Sequence, residues 1–184
     1  MNLKISAEIS LSEIRLEERE ILYELMSKIY PAAYAHVWKD QGKDYLKNLY
    51  SKENLKLELK DQNAKYYFIK NQELHIGILR IIFNKHINTG AYGVGTKLNR
   101  IYIDPSVQGK GIGKKIIHWM ETELQEIKTS YLWLEVMDTQ ENAIQFYEKL
   151  GFRIVERIKF KSDLMKEEFK GMYLMKKDIK KVSK

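Results

Sequence analysis

The chain has no cysteine among its 184 residues. Disulfides and thiolate metal sites are therefore excluded outright. Proline is nearly as scarce, with 2, and glycine is held to 10. There is no linker-like stretch, internal repeat or low-complexity block, so nothing divides the chain into separate domains. No apolar run approaches the roughly 20 residues that a membrane-spanning helix needs. Met1–Ser12 alternate charged and apolar residues, without the apolar stretch of a secretory signal. His36, His75, His86 and His118 are scattered and lack metal-ligand spacing. These absences set the expectation of a cytoplasmic protein with no metal and no membrane association.

What is present is a chain long enough to bury a core without staples. One domain is expected over residues 1–175, followed by a basic tail at 176–184. The formal net charge is +7, and Lys176–Lys184 holds five lysines against one aspartate, so four of those charges sit at one end. Such a run is usually solvated, and no nucleic-acid partner is expected from it.

The apolar pattern predicts the elements. Leu3–Ile9 alternates as a first strand, and Ser12 reads as the N-cap of a helix carrying Ile14, Ile21, Leu22, Leu25 and Ile29, interrupted or ended at Pro31. A second helix is expected over Asp44–Leu59. Period two follows at Lys65–Lys70 and Leu74–Phe83, where Gly77 marks a bulge or a close approach. After a loop at Asn84–Gly95, Thr96–Ile103 reads as a strand. Gly111–Ile127 is an amphipathic helix, Tyr131–Met137 a strand, and Thr139 caps a helix running to Leu150. Phe152–Phe160 and Phe169–Lys176 close the domain as strands. The alternation predicts a mixed α/β domain on one central sheet.

The segment with chemical content is Gln108-Gly109-Lys110-Gly111-Ile112-Gly113, between a strand ended by Asp104–Pro105 and the long helix. Free N–H groups cluster at a helix start and carry partial positive charge. Glycines let a bulky anion approach that backbone, and phosphate suits the geometry. Lys110, Lys114 and Lys115 add charge beside it. The loop fails the nucleoside triphosphate pattern, because Lys115 stands where Ser or Thr is needed. It also fails the dinucleotide fingerprint, which wants a glycine at Lys114.

The loop does match Gln/Arg-x-x-Gly-x-Gly/Ala at Gln108, Gly111 and Gly113. A second segment, Asn142-Ala-Ile-Gln-Phe-Tyr-Glu-Lys-Leu-Gly-Phe152, follows it by one helix and one strand. Together they resemble the Gcn5-related N-acetyltransferases. The resemblance implies a mostly antiparallel sheet of six to seven strands, splayed in the middle and flanked by about four helices. It also implies acetyl-coenzyme A as cosubstrate and a small-molecule or peptide amine as acceptor, with a homodimer as one assembly. On this chain Gln108–Gly113 would bind the pyrophosphate. Ile101, Tyr102 and Ile103 would pair with the pantetheine arm through the backbone, Asn142 would hydrogen-bond that arm, and Lys149 would reach the 3′-phosphate. Tyr147 resembles the family tyrosine that protonates the leaving thiolate, and a phenol with a pKa of ~10 can donate at neutral pH.

The chain departs from the pattern at Asn99, where many relatives carry Glu, and asparagine cannot act as a base. A water chain, Glu135 or a residue of the aromatic segment could substitute. His118 lies on the polar side of its helix. Tyr34, His36 and Trp38 are candidates for the acceptor site. Tyr30–Leu59 is also loosely similar to bacterial polyamine acetyltransferases in its Tyr/Trp placement, its Tyr45-Leu46 pair and its Leu55–Leu59 spacing. Glu17, Glu18, Glu20, Asp40, Asp44 and Glu53 would supply the acidic subsites of a polyamine. The alternative is an acetyl-coenzyme A sensor without turnover, supported by Asn99.

Overall fold

The computed structural model describes residues 2–87, 92–127 and 129–180. Part of the expected 84–95 loop and the last four residues of the expected tail lie outside them. A single sheet holds eight strands in the order β1-β2-β3-β4-β5-β6-β8-β7, so the count exceeds the expected six to seven. The strands are β1 (Asn2–Lys4), β2 (Ile9–Glu13), β3 (Ala64–Asn71), β4 (Leu74–Ile82), β5 (Gly95–Ile103), β6 (Tyr131–Met137), β7 (Arg153–Lys159) and β8 (Gly171–Asp178). Every pairing is antiparallel except β5 with β6. Five α-helices flank the sheet, against about four expected: α1 (Arg19–Tyr34), α2 (Lys43–Leu49), α3 (Lys52–Lys60), α4 (Ile112–Glu126) and α5 (Glu141–Lys149).

Four expectations are corrected by the sheet. The first strand is a hairpin, since β1 turns back and Leu3 pairs with Leu11. Ser12 pairs with Phe68 inside β2, so it caps nothing, and α1 begins at Arg19. The second helix is two, broken at Tyr50–Ser51, where the Ser51 side chain caps α3 by accepting from the Asn54 N–H. The expected basic tail starts too early. β8 runs to Asp178, and Lys176 is buried, with its ammonium 5.0 Å from the Tyr92 ring and 5.2 Å from the Tyr131 ring. Pro31 sits within α1 without ending it, and the helix continues to Tyr34.

Two cores result. On one face α4 and α5 place Ile112, Ile116, Met120 and Tyr147 against Leu79, Leu98 and Leu134. On the other, α1–α3 place Leu22, Met26, Tyr30 and Leu55 against Phe68 and Ile78. Gly77 explains how β4 and β5 meet between them. A Cβ there would lie 2.1 Å from the Tyr102 carbonyl oxygen, so only glycine permits the approach.

Candidate functional site

The parallel pairing of β5 with β6 lasts for three positions, from Gly95 opposite Tyr131 to Lys97 opposite Trp133. Beyond Lys97 the strands separate, and among the described residues the β6-facing edge of β5 has no strand partner. A cavity of about 360 Å³ opens in the gap. It is lined by Leu98–Tyr102 from β5, Leu134–Met137 from β6, Ala143 and Tyr147 from α5, and Tyr30, Tyr34, Trp38 and Tyr45 from the helical face. No neighbouring strand takes up the backbone polar groups of β5 on this side. An extended chain could therefore pair with them as an added strand.

A short turn at Pro105–Val107 leads from β5 to the glycine loop. Asp104 organises that turn by accepting from the Ser106 N–H and hydroxyl, and it takes a further bond from Lys28 Nζ at 2.9 Å. Lys28 and then Ser106 hold its carboxyl down at about 2. Gly109 and Gly111 have φ of +77° and +74°, and a Cβ on either would meet nothing within 4 Å. The loop thus has a left-handed backbone and an open outer side, the cradle an anion needs. Gly113 is packed rather than open: a Cβ there would lie 3.2 Å from Phe146 Cζ on α5 and 3.7 Å from Ile103 Cδ1 on β5. The loop, the end of β5 and α5 therefore converge at this glycine.

The candidates divide by position. Ile101, Tyr102 and Tyr147 line the cavity, with Tyr34 and Trp38 on its helical wall. Gln108 is exposed, and its Nε2 donates to the Ile103 carbonyl oxygen at 2.9 Å, so its side chain ties loop to strand. Lys110 is exposed beside the glycines, and Ile112 is buried in the core, leaving only its backbone to a ligand. Asn142 and Lys149 are exposed at opposite ends of α5, about 10 Å apart along the axis. His36 stays outside the cavity, its ring edge-on to Phe169.

Burial and, secondarily, the neighbouring Tyr34 raise the Tyr147 phenol well above its ordinary value. It therefore keeps its proton throughout the neutral and mildly alkaline range. Asn99 is the extra residue of a β-bulge, because Arg80 pairs with Arg100 while Ile81 pairs with Leu98. Its Oδ1 accepts from Arg80 Nη1 at 2.8 Å. Glu135 is the only carboxylate lining the cavity among the described residues, and it pairs with Lys97 Nζ at 2.8 Å.

Sequence reasoning missed the charged cluster behind β5. Glu58 on α3 accepts from both Nη atoms of Arg100 at 2.8 Å and lies 3.8 Å from Arg80 Nε. Burial works against the charge on Arg100, but the Glu58 bond and nearby tyrosines outweigh it and hold that pKa well up. Arg80 is lowered, by burial first. No local sequence signal links these residues, which come from three separate elements.

The model of the acetyltransferase (GNAT) family matches residues 19–152. The chain belongs to this family. Among curated GNAT relatives, an uncharacterized N-acetyltransferase of Lactobacillus delbrueckii subsp. lactis is 29% identical over 58% of this chain and 62% of its own length. Spermine/spermidine N(1)-acetyltransferase of Bacillus subtilis is 31% identical over 36% of this chain and 44% of its own length. The matched stretch thus covers about half of these relatives. The GNAT fold is seen in the PaiA N-acetyltransferase of Thermoplasma acidophilum in complex with coenzyme A, at a TM-score of 0.70 and 20% identity, covering 92% of this chain and 98% of that one. Among the described residues no helix is long and apolar enough to cross a membrane.

Proposed function

We propose that this chain transfers an acetyl group from acetyl-coenzyme A directly to a primary amine. The observation that carries this reading is the placement of three features along β5: its unpaired edge on the cavity, Tyr147 lining that cavity from α5, and the open glycine loop that follows the strand and packs on α5 at Gly113. The pyrophosphate would rest on the backbone of Gly109–Gly113 with Lys110 beside it, while the pantetheine arm would follow Leu98–Ile103. The acetyl thioester supplies an activated carbonyl. The amine nitrogen forms the new C–N bond as the C–S bond breaks. Tyr147 delivers its proton to the departing sulfur.

An ordinary primary amine is largely protonated at neutral pH and must lose a proton before it attacks. Glu135, directly or through a water, is positioned for that task because it is the carboxylate facing the cavity. Asn99 cannot perform it. Holding the two reactants together accounts for much of the remaining acceleration.

The absence of a carboxylate at Asn99 also favours a second reading, an acetyl-coenzyme A-binding sensor without turnover. Calorimetry on the wild type and on Gly111→Trp, with a free-thiol assay across an amine panel, tests both. A Cβ at Gly111 would meet nothing within 4 Å, so the added side chain has room to obstruct the cradle, at the cost of strain from the φ of +74°. Micromolar binding lost in the variant, with thiol release dependent on amine, supports the transferase. Binding without thiol release for any amine supports the sensor. No binding by the folded wild type overturns both.

A further inference from the structure

Resting on the transferase reading, we infer that the acceptor is a compact monoamine carried on an apolar, preferably aromatic, body and that the cavity selects against polyamines. The helical wall is a block of aromatic rings. Tyr30 stacks on Tyr34 at 4.9 Å and on Tyr45 at 5.2 Å, and Trp38 stacks on Tyr45 at 4.5 Å. The block is fixed from behind, since Trp38 Nε1 donates to the Tyr30 hydroxyl at 3.0 Å. Met165 and Met172 line the same cavity and add polarizable apolar surface. Such a wall accepts a flat or aliphatic body by contact area.

The charges offer no partner to a second ammonium. Arg100 and Glu135 are the only charged side chains lining the cavity among the described residues, and each already has a partner. With those partners, Arg80 and the nearby Asp61 included, the local set is Arg80, Arg100 and Lys97 against Glu58, Glu135 and Asp61. The charges balance, so the site has no net negative potential to draw a polycation. The carboxylates of the first half of the chain do not compensate. Glu18 binds Arg15, Glu20 binds Arg19, Asp40 caps the start of α2 through the Gly42 and Asp44 N–H groups, and none of the six lines the cavity. Size points the same way. About 360 Å³ is near the lower end for small-molecule sites, about 300–1,000 Å³, and the thioester end of the cosubstrate must share it.

The test is a steady-state thiol-release assay with phenethylamine, hexylamine, spermidine and spermine under matched pH and ionic strength. Phenethylamine is expected to exceed spermidine in kcat/KM by at least ~10-fold. Met172→Glu, which places a carboxylate in the cavity, is expected to narrow that ratio by raising spermidine turnover. Trp38→Leu is expected to raise the KM for phenethylamine while leaving acetyl-coenzyme A binding unchanged. Equal or better turnover of spermidine by the wild type overturns the inference. Should acetyl-coenzyme A bind while no amine is acetylated, calorimetry with phenethylamine and spermidine separates the two claims. Tighter binding of phenethylamine sustains the acceptor class and rejects the transfer, and the reverse order or no amine binding rejects the acceptor class.

Discussion

Replacing Glu58 with glutamine keeps its shape and removes its charge, which isolates what that carboxylate does. Its side chain is 14% exposed, and those of Arg100 and Arg80 are 11% and 7% exposed. Both Nη atoms of Arg100 donate to it, so an amide can satisfy one and must present its own NH₂ to the other. Two buried guanidinium groups would then face each other with only the more distant Asp61 as countercharge to Arg80, whose Nε already lacks a hydrogen-bond partner. Removing one member of a buried pair typically costs about 3–5 kcal/mol. In a chain of this size each kcal/mol lowers Tm by about 2–4 °C, so Glu58→Gln should melt about 6–20 °C below the wild type. Thermal and urea denaturation measure it. Adding Arg100→Met should cost less than the two single changes combined, because either alone already breaks the pair. A Tm within about 2 °C of the wild type would refute the reasoning and mean that water already screens the cluster.

The remaining predictions concern the strands, the acid, the base and the turn. Gly77→Ala drives a Cβ to 2.1 Å from the Tyr102 carbonyl oxygen, so it should cost about 1–3 kcal/mol in urea denaturation and weaken acetyl-coenzyme A binding by displacing β5. Gly109→Ala, with open space around it, should show only the milder strain of its positive φ, about 1 kcal/mol. Tyr147→Phe should lower kcat by about 100-fold or more while leaving the calorimetric Kd for acetyl-coenzyme A unchanged. Glu135→Gln should lower kcat and lift the surviving rate only at alkaline pH, where the amine reaches the site neutral, as a pH–rate profile would show. Asp104 has a folded pKa of about 2, below an unfolded value of about 3.9, so its contribution is complete above about pH 4 and is lost as pH falls through 2. Asp104→Asn should therefore flatten the decline of the urea midpoint across that window.

Much of the site was legible because its signals are local. Glycines at 109, 111 and 113, a helical stripe from Ile112 to Leu124 and the Asn142–Phe152 segment each declare themselves within a few residues, and the structure joins them at Gly113 and Phe146. Gly77 was legible for the same reason. The β1–β2 turn was not, because Ile5-Ser6-Ala7-Glu8 carries neither glycine nor proline to announce it. The start of α1 was misplaced because Ile14 fits a helical stripe, yet its N–H is taken by the Tyr66 carbonyl. Lys176 reads as part of a solvated run until Tyr92 and Tyr131 are seen around it. The Glu58 cluster depends on three distant elements meeting, which no window of sequence records. The acidic residues of the first half suggested a polyamine subsite because composition gives charge without direction.

The sheet order has a consequence for synthesis. β8, made after β6 and β7, lies between them, so β7 has no strand partner and β6 only its short pairing with β5 until residues 171–178 have been translated. Chains are made from the amino end, and the half of the sheet holding β1–β5 can pair while translation continues. The other half cannot. β6, which forms one wall of the cavity, remains an open edge on the nascent chain until the last strand slots in. Ribosome-bound chains that stop short of Gly171 should thus carry a glycine loop already formed beside a cavity still missing its backing. That interval is when the exposed edge of β6 is most open to pairing with the wrong partner.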